Sequence, residues 1–171
     1  MQINPSHQAP VSAAPIVVSV QGESSARARE AAQQLALEYC NYPDPAKLLL
    51  VVGEVSAWLE LDGVKVGVQF DSAAMLHRRK GRHNEMLGRA VGLKSDRKPL
   101  IWDVTGGLGR DAFVLADLGC EVTLCERVPA LAWLLDQAVQ AAAVSGADQV
   151  RAAADRMVVL AADSKTLGAP A

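Results

Sequence analysis

Ile101-Trp102-Asp103-Val104-Thr105-Gly106-Gly107-Leu108-Gly109-Arg110-Asp111 is the stretch on which the reading of this chain turns. An apolar run ends on an acidic residue, passes through closely spaced glycines and opens into a helical pattern. That is the form of a strand-to-helix turn that cradles a nucleotide-type cofactor.

Downstream the pattern repeats. Ala112 to Leu118 completes a helix that Gly119 ends, and Glu121 to Cys125 is a strand closed by Glu126. Pro129 suits the first turn of a long helix, Ala130 to Ala143, with Leu131, Leu134, Leu135, Ala138 and Val139 at core spacing. Ser145-Gly146 breaks it, Asp148 caps a short helix through Ala154, and Met157 to Ala161 forms a third strand ending at Asp163-Ser164. Strand, helix, strand, helix, strand with short connections predicts an α/β fold with a parallel sheet and right-handed crossovers.

In such a sheet a ligand lies beyond the carboxyl ends of the strands. All three ends carry polar residues: Asp103 to Asp111, Glu126 with Arg127, and Asp163 with Ser164. The glycines let backbone approach a ligand closely, and the stretch contains no Walker loop. Glu126 ends the second strand, where a carboxylate accepts both hydroxyl hydrogens of a ribose. That position suits NAD, FAD and S-adenosylmethionine alike. Asp103 discriminates, because a carboxylate before the glycines would repel a pyrophosphate and suits a cofactor with cationic sulfonium and amino groups.

Upstream, Met75 to Lys98 is the basic part of the chain, with His77, Arg78, Arg79, Lys80, Arg82, His83, Arg89, Lys94, Arg97 and Lys98 against Glu85 and Asp96. It reads either as a solvated connector or as a phosphate-contacting segment, with a helix from about Asn84 to Val91 ended by Gly92. Residues 16–72 read as a small α/β subdomain. It holds a strand at Ile16 to Val20, a helix from Ser24 or Ser25 to about Cys40, and a meander over Leu48–Val52, Val55–Leu61 and Val64–Phe70, whose Asp62-Gly63 is a strong hairpin signal. Residues 1–15 read as a flexible start. The expected divisions are therefore 1–15, 16–72, a basic connector and helix at 73–98, and a cofactor domain at 99–171.

Bulk composition bounds the rest. With 171 residues, half of them hydrophobic, the chain can bury a sizeable core. A net charge of −2 gives no global basic field, so nucleic-acid contact would come from a local patch. Cys40, Cys120 and Cys125 make no CxxC pair and read as reduced thiols of a cytoplasmic protein; no stretch has the length of a membrane span and no secretory signal is evident. No metal site is expected, since His77 and His83 lack supporting ligand spacing and His7 lies in the loose start. Trp102 and Trp133 read as core, and Trp58 as less enclosed.

The run from Asp103 to Ala116, then Gly119-Cys120, Glu126-Arg127 and Pro129, with His77-Arg78-Arg79-Lys80 upstream, resembles the RsmJ family of bacterial 16S ribosomal RNA guanine-N2 methyltransferases over about residues 70–167. The resemblance implies a class I, Rossmann-like methyltransferase fold with S-adenosylmethionine as methyl donor. It also implies a guanine N2 of 16S rRNA in the small ribosomal subunit as acceptor. By it Arg110, Asp111, Glu126, Arg127, Asp163 and Ser164 would line the cofactor site, together with Asp103, Thr105, Gly106, Gly107 and Gly109 of the turn. His77, Arg78, Arg79, Lys80 and Arg82 are the RNA-binding candidates. Two departures stand out: Val128 replaces a frequent Asn, and Ala171 follows the third strand by one loop, so the fourth strand and its Asp-Pro-aromatic type motif are expected to be missing from an incomplete fold. No residue is assigned as general base. Competing readings are a methyltransferase with another acceptor and a non-catalytic RNA- or ribosome-binding module that keeps the cofactor fold.

Overall fold

The structure is a computed structural model describing residues 15–20, 23–80 and 82–167, with the side chains of Lys80, Arg82 and His83 outside the description. The reading of residues 1–14 as a flexible start, and those three side chains as candidates, lie outside it. The chain divides into two compact units between Val66 and Gly67, a few residues before the expected division.

In the first unit, β1 (Ile16–Ser19) leads through α1 (Ala26–Leu35) to β2 (Leu49–Val52), then β3 (Ala57–Leu61) and β4 (Val64–Gly67). The sheet order is β1-β2-β3-β4, with β1 parallel and β3 antiparallel to β2. β2 is buried along its whole length because it is central and consists of Leu49, Leu50, Val51 and Val52. Asp62 and Gly63 both take positive φ, as a two-residue hairpin of matching twist requires. The helix is shorter than expected. Ala36 turns left-handed, and Leu37 N–H bonds back to Ala32, so α1 closes before the prolines are reached.

The second unit begins with two helices, α2 (Ala73–Lys80) and α3 (Arg82–Ala90), where one was expected. Ser72 Oγ accepts the Met75 N–H at 3.3 Å and starts α2. One face of α2 is buried through Met75 and Arg79, four residues apart. The inward position held by an arginine hid the helical period from an apolar count. Gly92 ends α3 at φ 73°.

Next come β5 (Leu100–Asp103), α4 (Arg110–Asp117), β6 (Glu121–Glu126), α5 (Pro129–Ala143), α6 (Asp148–Ala154) and β7 (Met157–Ala161), followed by a 3-10 turn at Ser164–Thr166. These boundaries follow the expected ones to within two residues. The sheet is parallel, in the order β5-β6-β7. Alternation along its strands separates two faces. Ile101, Val122, Leu124, Met157 and Val159 pack into the core with Phe113, Val114, Leu135, Ala138, Val150 and Ala153 of α4, α5 and α6. The alternate positions are more open: Leu100 is 78% exposed, Val158 55% and Trp102 37%. The expectation for Trp102 therefore needs correction, because its position in β5 turns it to the open face, while Trp133 on α5 is buried. Phe70, expected to end the third meander strand, stacks on Phe113 with ring centroids 4.3 Å apart. β4 stops at Gly67 and releases Phe70 to the core of this unit.

Candidate cofactor site

The parallel registers align Asp103 with Leu124 and Glu126 with Ala161, so the carboxyl ends of all three strands meet at one edge of the second unit. Asp103 bends the chain out of β5. Its Oδ1 accepts from Thr105 N at 3.1 Å and from Thr105 Oγ1 at 3.4 Å, a local turn that short acidic side chains favour.

The glycines then act in different ways. Gly106 N–H bonds to the Cys125 carbonyl at 2.9 Å, and a Cβ there would lie 3.2 Å from that same oxygen, so the turn rides directly on the end of β6. Gly107 has φ 52°, and a Cβ there would make only an ordinary contact, 3.6 Å from the Thr105 carbonyl oxygen. Gly109, at φ 63°, starts α4, and a Cβ on it would come within 2.5 Å of Leu135 Cδ1.

Glu126 binds this turn to the strand behind it. The residue is only 8% exposed, yet each carboxylate oxygen has a backbone donor: Gly107 N–H to Oε2 at 2.9 Å and Val128 N–H to Oε1 at 2.8 Å. A carboxylate has about four lone-pair sites, so each oxygen retains acceptor capacity for a hydroxyl. The contact from residue 128 is made by its backbone, which explains why a valine is compatible with the turn. Arg127 is exposed beyond the strand, and the Ala162 N–H bonds to the Glu126 carbonyl at 3.0 Å, joining the ends of β6 and β7. Asp163 then accepts from Lys165 N at 3.0 Å, with Ser164 half-buried beside it.

The candidates therefore fall into groups. Asp103, Thr105, Gly106, Gly107, Gly109 and Glu126 form one hydrogen-bonded assembly; Asp163 and Ser164 reach it through the β6–β7 ends, while Arg110 and Asp111 occupy the exposed first turn of α4. The uncrowded, side-chain-free backbone at Gly107 and the remaining acceptor capacity of Glu126 fit the ribose end of a nucleoside cofactor. Burial pushes the Cys125 thiol up from its usual range, and the Asp103 charge adds to the effect. Among the described residues no three His, Cys, Asp or Glu side chains gather as a metal site.

The basic candidates separate. His77 is exposed on α2. Arg78 Nη2 donates to Asp111 Oδ1 at 2.5 Å. Arg79 is directed inward, 7% exposed, with Nη2 2.6 Å from Asp117 Oδ1 and its guanidinium 5.7 Å from the Phe113 ring centroid. In this conformation Arg79 ties α2 to α4 and is shielded from a phosphate at the surface. The Arg78–Asp111 pair, spanning 33 residues, was not foreseen from sequence, since neither residue lies in a motif with the other.

Comparison with known proteins bears on the whole arrangement. A family model described as "Putative SAM-dependent methyltransferase" matches residues 31–170. A ribosomal RNA small subunit methyltransferase J from Tolumonas auensis is 42% identical over 132 residues, covering 74% of this chain and 51% of the relative. One of the same name from Stutzerimonas stutzeri is 44% identical over 121 residues, covering 67% and 46%. The crystal structure of a SAM-dependent methyltransferase from Neisseria gonorrhoeae superposes with a TM-score of 0.67 at 30% identity, covering 83% of this chain and 57% of that one. The chain thus spans about half the length of the curated relatives it matches.

Proposed function

The chain belongs to the SAM-dependent methyltransferase family that includes ribosomal RNA small subunit methyltransferase J, with a Rossmann-like class I fold, and on that premise we propose that it binds S-adenosylmethionine and serves methyl transfer to rRNA. The observation that carries the reading is the Glu126 carboxylate, buried at the end of β6 and bonded to the glycine turn while keeping acceptor sites for a ribose.

In this reading Glu126 holds the ribose hydroxyls, the Gly106-Gly107 backbone passes beneath the cofactor, and Asp103 and Asp111 supply negative charge for its cationic end. Arg110, Arg127, Asp163, Ser164 and Thr105 complete the lining. When bound, the cofactor supplies an already reactive sulfonium methyl. What the protein contributes is an in-line approach for the acceptor, a matter of position more than acid-base chemistry. The proposed acceptor is a guanine N2 of 16S rRNA in the small subunit, unstacked from its neighbours to reach the pocket. Such a substrate places the protein in the cytoplasm. His77, Arg78, Lys80 and Arg82 are the proposed phosphate contacts, and Arg79 supports them from behind.

A second reading is an RNA-binding module that retains the cofactor fold without transferring methyl groups. Incubating the protein with labelled S-adenosylmethionine and undermethylated small subunits decides between the two. The proposed activity predicts label on a single guanine N2 of 16S rRNA. Cofactor and RNA binding without label supports the module, and label on protein or DNA alone contradicts the rRNA reading.

A further inference from the structure

Arg78 belongs by sequence to the basic segment and Asp111 to the cofactor turn, yet the structure joins them. The guanidinium projects from α2, and the carboxylate stands in the first turn of α4, two residues after Gly109. Both remain partly open to solvent, with side-chain exposures of 35% and 53%. A guanidinium carries five N–H donors in one rigid plane. The Asp111 contact engages Nη2, while Nε is buried and turned away from solvent. With the side chain about one-third exposed, it is the remaining N–H groups of the terminal nitrogens that can meet a second anion while the group holds the carboxylate.

We propose that Arg78 is a positioning residue that couples RNA binding to cofactor binding through Asp111. A backbone phosphate lying along α2 takes the remaining donors of Arg78, immobilises the guanidinium and fixes Asp111 beside the glycine turn. An exposed ion pair between mobile side chains is weak in isolation, chiefly because ordering them costs entropy. Once one ligand has ordered the pair, the other binds without repeating that cost, so the coupling is positive and reciprocal. The inference rests on the proposed cofactor and RNA sites. It predicts that the two are energetically linked, which separate patches would not be.

Calorimetric titration of S-adenosylmethionine, with and without a saturating short single-stranded RNA at low salt, reads the coupling directly. In the wild type the RNA tightens cofactor binding about fivefold, the low end for coupled sites. Arg78→Ala and Asp111→Asn each bring that ratio to one. Arg78→Lys keeps the charge and most of the RNA affinity but also loses the ratio, because a point charge cannot bridge two anions as a planar fork does. Unchanged urea midpoints in these variants exclude a folding effect; a variant that melts early is replaced by the Lys form for the comparison. A ratio of one in a wild type that binds both ligands, or a ratio preserved in Arg78→Ala, overturns the coupling and leaves the proposed function standing. A wild type that binds no S-adenosylmethionine overturns both.

Discussion

Gly107 and Gly109 share a left-handed backbone but differ in surroundings, and that difference separates stability from binding. Alanine at either position meets a left-handed cost of roughly 1–2 kcal/mol. At Gly109 the new Cβ also collides with Leu135, so Gly109→Ala should lower the urea midpoint more than Gly107→Ala. Gly107→Ala, whose methyl meets nothing closer than the Thr105 carbonyl oxygen at 3.6 Å, should instead abolish measurable cofactor binding in a protein that still folds. Equal midpoints, or full binding by Gly107→Ala, would contradict the separate roles. Glu126→Ala removes the acceptor of two backbone N–H groups as well as the proposed ribose contact. We expect a loss of about 1–3 kcal/mol of stability for the unsatisfied donors. A cofactor affinity at least tenfold weaker should accompany it, and unchanged affinity would remove Glu126 from the site.

Among the elements, α2 was the one the sequence concealed. The glycine turn, the long helix after Pro129 and the three strands of the second unit were legible because their signals are local: apolar runs, helix breakers and acidic strand ends. Helix α2 was hidden because its inward position is an arginine, whose burial depends on Asp117 and Phe113 far along the chain. The same non-local pairing placed Arg78 on Asp111. The exposure of Trp102 is equally non-local, since the choice of sheet face depends on which side the helices pack. Arg79→Ala should therefore destabilise the protein by about 3 kcal/mol, as expected for breaking a buried pair, and leave the salt dependence of RNA binding almost unchanged. Denaturant unfolding and affinities at several salt concentrations test this; a flattened salt slope with unchanged stability would return Arg79 to the RNA surface.

At the scale of the molecule, the two faces of the β5-β6-β7 sheet and the burial of the thiols give measurable signatures. Trp102→Phe should reduce acrylamide quenching of tryptophan fluorescence, whereas Trp133→Phe should leave the accessible component in place. Burial raises the thiol pKa of Cys120, and that of Cys125 with help from Asp103. The stability contributed by their protonated forms is complete below the unfolded thiol value of about 8.5 and is lost as pH rises through the folded values. Iodoacetamide at pH 8 should accordingly modify the half-buried Cys40 first and reach Cys120 and Cys125 only on unfolding, as peptide mass spectrometry would record. The turn from Asp103 to Asp111, closed by Glu126, is the proposed seat of S-adenosylmethionine. Calorimetry with S-adenosylmethionine and NAD tests that assignment: saturable binding of the first, lost in Glu126→Ala, with no binding of NAD, is the predicted result, and binding of NAD without S-adenosylmethionine would contradict it.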